Sequence, residues 1–153
     1  MYIFFIFKIK YLTVYRYFHK MTAIFSSNPF YSKYVRFPDG SVPHKIRKNP
    51  KWWPFFKGAI GALDGSHIHV SPRATKCPVY HNRKGFVSQN CLFACDFDLK
   101  FTYSLTGWEG SATDARVYED ACAHDFQTPE GKYFLADAGY PLRPGLLVPY
   151  CGV

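Results

Sequence analysis

At 153 residues, about half hydrophobic and a fifth charged, the chain has the composition of a globular protein and the length of one ordinary domain. Five cysteines (Cys77, Cys91, Cys95, Cys122, Cys151) without a Cys-x-x-Cys pair exclude a zinc ribbon or thioredoxin motif and read as free thiols in a reducing compartment. The net charge of +8 is uneven: residues 1–57 hold eleven Lys/Arg against one acid (Asp39), net +10, and residues 58–153 hold eight against ten acids, net −2. That partition points to a polyanion partner for the first part, or to a solvated basic tail.

The N-terminal run Met1–Lys10 is interrupted by Lys8 and Lys10, lacks a small-residue cleavage site, and is too short to span a membrane. Residues 1–25 alternate apolar and basic around Ile6–Tyr17, a pattern open to a strand or an interfacial segment, or to extraneous sequence before an internal start at Met21. Residues 26–57 carry five prolines and Gly40 and read as an irregular arm, with the domain boundary near residue 57. Within it, Lys45–Lys57 interleaves cations (Lys45, Arg47, Lys48) with aromatic rings. Such a mix suits a nucleic-acid backbone with base stacking, or rings packed on the domain that follows.

From Gly58 the pattern becomes regular, and the expected strands are Ala59–Val70, Ser88–Asp96, Phe101–Gly107 and Lys132–Asp137, with a short one over 146–149. The second and third form a hairpin about Phe97–Lys100, with Asp96 and Asp98 as turn residues. A helix spans Asp114–Ala123, capped by Ser111 or Thr113. The order β-β-β-α-β gives a mixed sheet with a helical crossover, α/β or α+β.

Asp64 lies inside the run Gly58–Val70, which reads as a buried strand, where an uncompensated carboxylate costs several kcal/mol. Asp137 ends a second apolar run. If the two strands are neighbours, the carboxylates repel, and a bound Mg²⁺ or Mn²⁺ with oxygen ligands relieves the conflict. Two such ions about 4 Å apart can activate water and stabilise a leaving oxygen in phosphoryl displacement. Asp137 before Ala-Gly also fits plain turn chemistry, and Asp114 fits a favourable helix dipole. Arg83 and Lys84 suit phosphate contact or a solvated loop. His67 and His69 alternate away from Asp64 and do not share its metal. Cys91 and Cys95 fall on one strand face as core residues, and Trp108 anchors packing.

Several segments in order carry a family resemblance: Gly61-Ala-Leu-Asp-Gly-Ser-His-Ile68, Asn82-Arg-Lys-Gly85 with Ser88-Gln-Asn90, Cys95-Asp-Phe-Asp98, Phe101-Thr-Tyr103, Gly107–Val117, Gly131–Pro141 and Leu147–Tyr150 with Gly152-Val153. From about Asn49 onward the chain resembles the Harbinger-type DDE transposase-derived nucleases. The resemblance implies an RNase H-like fold, divalent metal, DNA as partner and nuclear residence, with a separate DNA-binding protein as a further partner. By motif, Asp64 and Asp137 match the two catalytic aspartates, and Asp114 matches an acidic position near the metal. The family's final Glu lies on a helix downstream of the stretch seen here. Three functions follow: a metal-dependent DNA endonuclease, a non-catalytic DNA-binding or protein-interaction module of transposase origin, or a decayed fragment whose incomplete sheet leaves an edge and an apolar face exposed.

Overall fold

A computed structural model describes residues 2–150, with side chains from residue 10 onward. Cys151, Gly152 and Val153, named above, lie outside the described residues. The chain divides into two compact units, Met1–Arg36 and Phe37–Val153. Residues 37–57, which composition groups with the arm, are thus part of the second unit.

The first unit is helical: α1 (Tyr2–Ser26) and α2 (Phe30–Tyr34). The alternation in residues 6–17 permitted a strand, but a lone segment with no strand to pair with satisfies its backbone groups as a helix. The hydroxyls of Thr22, Ser26 and Ser27 each donate to a carbonyl four residues back, and Phe25, Phe30 and Tyr34 stack in series at the junction. No helix among the described residues is long and apolar enough to cross a membrane.

The second unit opens with α3 (His44–Lys48). Then follow β1 (Ala59–His69), a 3-10 turn (Ala74–Lys76), α4 (Cys77–Tyr80), β2 (Ser88–Cys95), β3 (Phe101–Glu109), α5 (Asp114–His124), β4 (Tyr133–Leu135) and β5 (Leu146–Leu147). The short helices α3 and α4 lie in Pro- and Lys-rich stretches that carry no helical period, and neither was expected.

One sheet holds all five strands in the order β3-β2-β1-β4-β5. β1, β2 and β3 form an antiparallel meander. α5 then crosses over, and β4 runs parallel to β1 and to β5. This mixed α/β sheet is the RNase H-like arrangement that the sequence implied. The β2–β3 turn is held by Asp96, whose Oδ1 accepts the amides of Asp98 and Lys100, and Leu99 takes the left-handed conformation (φ 62°).

The core lies between the sheet and α5. Ile60, Leu63, Leu92 and Phe134 meet Val117, Tyr118 and Ala121 of the helix, closed by Phe126 and Tyr140. Phe37 joins this cluster, its ring 5.1 Å from Phe126 and 5.5 Å from Phe134. A methyl at Gly61 would strike the Cys95 carbonyl and the Phe134 ring, so a bare backbone is needed there. Cys91 is fully buried, Cys95 half-buried, and the described cysteines are free thiols.

Candidate active site

β1 is buried only through Leu63; from Asp64 onward it is largely exposed. The expectation of a strand buried along its length is therefore corrected. The cause is the short reach of β4. Its parallel pairing with β1 stops at Ala62 opposite Leu135, leaving the end of β1 flanked by β2 alone. Asp64 and Asp137 each stand two residues past that last pair, on adjacent strands at the same end of the sheet.

Each carboxylate has one oxygen fixed by backbone. The Gly65 amide donates to Asp64 Oδ1 (2.8 Å) and the Gly139 amide to Asp137 Oδ1 (2.9 Å). Asp114 arrives from the first turn of α5, whose cap is Thr113: its hydroxyl accepts from the Arg116 amide at 3.3 Å. Asn90 on β2, only 1% exposed, holds Asp114 in place by donating through Nδ2 to Asp114 Oδ1 (2.8 Å) and to the Ala112 carbonyl (3.1 Å). The Asp114 carboxylate rests where a Cβ at Gly65 would stand.

Asp64 senses the other two carboxylates. Local desolvation pushes Asp64 above the usual aspartate range; the Gly65 amide opposes this, and the charges of Asp137 and then Asp114 add to it. Tyr140, 4% exposed, is raised by burial first and then by Asp114, Asp64 and Asp137. Its hydroxyl is buried without a hydrogen-bond partner. Asn90 and Tyr140 were not assigned roles from sequence. The available signal for Asn90 was the one that marked Asp64, a polar residue inside an apolar strand.

Among the described residues, no group of three or more His, Cys, Asp or Glu side chains is arranged to hold a metal ion. The expected ligand set Asp64, Asp114 and Asp137 thus comes within electrostatic reach without closing into a cage. The physical reason at Asp114 is visible: one of its oxygens is already committed to Asn90. Asp64 and Asp137 still fit a divalent ion, since both offer hard oxygen donors of the type such ions take alongside retained waters.

Arg83 and Lys84 sit in the loop before β2 and line a cavity of about 300 Å³ with His67, Asp114 and Gly139. Lys45, also expected at nucleic acid, donates through Nζ to the Phe97 carbonyl (2.6 Å) and pairs with Asp98 (3.1 Å). Lys48 lines a shallow concavity with Lys51 and Trp52, while Arg47 lies beside it on α3. Trp108 anchors packing as expected, donating through Nε1 to Asp120 (2.9 Å).

The pattern that describes the DDE superfamily endonucleases matches residues 63–152. The chain belongs to that family. The match begins one residue before Asp64 and takes in Asp114 and Asp137. Harbinger-derived relatives agree. The protein named "Putative nuclease HARBI1" from Rattus norvegicus is 30% identical over 122 residues, covering 77% of this chain and 35% of the relative. Its namesake from Bos taurus is 32% identical over the same coverage. The chain therefore spans about a third of the length of the curated relatives it matches. No solved structure matches it. Members of this family generally use divalent metals.

Proposed function

We propose that this domain is a divalent-metal-dependent DNA endonuclease that hydrolyses a phosphodiester bond, with Asp64 and Asp137 as its metal ligands and Asp114 beside them. One observation carries the reading: two carboxylates stand at the same end of neighbouring parallel strands, and the ionisation of one is opposed by the other. A structural protein gains nothing from such repulsion, whereas a cation-binding site uses it. Bound Mg²⁺ or Mn²⁺ would supply water activation and stabilisation of the leaving 3′ oxygen. The chain's own part is to hold the two carboxylates on rigid strand ends, with their Oδ1 atoms anchored by Gly65 and Gly139. Asn90 keeps Asp114 from swinging away. Arg47, Lys48, Arg83 and Lys84 are the proposed DNA contacts, and nuclear residence accompanies that substrate.

The experiment is plasmid nicking by purified protein with Mn²⁺, compared with Asp64→Ala and Asp137→Ala. Nicking by the wild type alone supports the assignment; equal nicking by all three removes it. A second reading has its own support. One Asp114 oxygen is committed to Asn90 rather than open to a cation, which suits a non-catalytic DNA-binding or protein-interaction module. In that case DNA binding survives both substitutions and no nicking appears with any divalent ion.

A further inference from the structure

The cavity beside Asp114 is braced by a polar network that the nuclease reading does not use. Asn82 Oδ1 accepts the backbone amides of Lys84 (2.9 Å) and Phe86 (3.3 Å). Those donors cannot be exchanged, so the orientation of the amide is fixed and Nδ2 is the group that donates to Ser88 Oγ (3.1 Å). Ser88 is fully buried, and its remaining neighbour in the network is His67 Nδ1 at 3.0 Å. His67 Nδ1 is thereby engaged by Ser88 Oγ, which leaves Nε2 as the ring nitrogen without a partner among the described residues. The ring is steadied edge-on by Phe86.

The same asparagine therefore does two things. It ties down the loop that carries Arg83 and Lys84, and through Ser88 it holds the His67 ring, whose Nε2 is left for a ligand of the cavity that His67 lines. Neither Arg83 nor Lys84 has an ion-pair partner among the described residues, in contrast to Lys45, Arg116 and Arg143. Two unpaired cations and an imidazole nitrogen around about 300 Å³ make a pocket for an oxyanion of phosphate size. Inorganic anions are one possible source. The position of the pocket, with Asp114 in its wall, favours a phosphate already carried on a strand.

We infer that the cavity lined by His67, Arg83 and Lys84 binds one backbone phosphate of a DNA strand, held by the Asn82–Ser88 brace, and so sets the strand's position against the carboxylates. This rests on the nuclease reading for the identity of the strand, but its test does not require cleavage. The binding of a short labelled DNA duplex is followed by fluorescence anisotropy in EDTA across a salt series. Arg83→Ala and Lys84→Ala each weaken binding severalfold and reduce the salt slope by about one. His67→Phe, which keeps an aromatic ring without its nitrogens, weakens binding. Ser88→Ala weakens binding in the wild type and adds nothing in the His67→Phe background. Lys100→Ala, on the β2–β3 turn, leaves affinity and slope as they are.

Unchanged affinity in Arg83→Ala, Lys84→Ala and His67→Phe overturns the pocket, as does an equal loss in Lys100→Ala or no duplex binding by the wild type. If inorganic phosphate at matched ionic strength moves the His67 ring resonances while the three variants bind DNA normally, the site takes a free anion and the strand assignment falls. Wild type that nicks while the cavity variants bind normally keeps the nuclease and loses the pocket. Wild type that binds as described but never nicks keeps the pocket and loses the nuclease.

Discussion

Asp64 serves two opposed demands. Its proton is held more tightly in the folded protein than in the unfolded chain, because desolvation and its acidic neighbours resist the charge. The group's favourable contribution is therefore complete below the ordinary aspartate value of 3.8 and is lost as pH rises through the higher folded value. At neutral pH the ionised carboxylate is a net burden on the fold, so Asp64→Asn should raise the melting temperature there. Since the side chain is largely exposed, screening limits the gain to under about 1 kcal/mol. Thermal melts at neutral pH and below pH 3.8 check this: the difference should vanish in acid, and a neutral-pH loss would contradict it. Addition of Mn²⁺ should reverse the ranking, stabilising the wild type by ligand linkage and leaving Asp64→Asn unmoved. One residue along, Gly65→Ala puts a methyl where the Asp114 carboxylate lies. The expected cost is about 1–3 kcal/mol by denaturant unfolding, together with loss of the Asn90–Asp114 bond.

Among the elements, legibility followed how local each signal was. The β2–β3 hairpin was readable because its turn is built from its own residues, with Asp96 gathering the amides of Asp98 and Lys100. α5 was readable from its cap, and the structure buries its Val117, Tyr118 and Ala121. The two cap candidates are now resolved: Thr113→Ala should cost about 1 kcal/mol and Ser111→Ala close to nothing, by thermal or denaturant unfolding. The exposure of β1 beyond Leu63 was not readable, because it depends on where a strand some seventy positions later stops pairing. The helix α1 was hidden for a related reason, since period-two alternation describes side chains and not the presence of a partner strand. The candidate site divides the same way. Asp64 and Asp137 announce themselves by breaking apolar runs. The holding of Asp114 by Asn90, and the pairing of Lys45 with Asp98, join residues far apart in the chain.

At the scale of the molecule, the basic excess crosses the division between the units. Residues 1–36 hold six Lys/Arg and no acid, and residues 37–57 hold five against Asp39. The second group is not a detachable arm: Phe37 packs on Phe126 and Phe134, and Ile46 is buried. Deletion of 1–57 should therefore destabilise the second unit by about 3 kcal/mol or more, since it removes a half-buried aromatic ring and a buried isoleucine together. Deletion of 1–36 spares those contacts and should preserve that unit's melting transition. The two deletions thus separate charge from packing. With the 1–36 deletion, any fall in the salt slope of DNA binding reports the six lost cations. In the full-length chain, Lys48→Ala and Lys51→Ala report the concavity beside Trp52, each lowering the slope by about one if it meets a phosphate. A slope unchanged by the 1–36 deletion and by both substitutions, with the fold intact, would leave the cavity at His67, Arg83 and Lys84 as the place where this domain meets DNA.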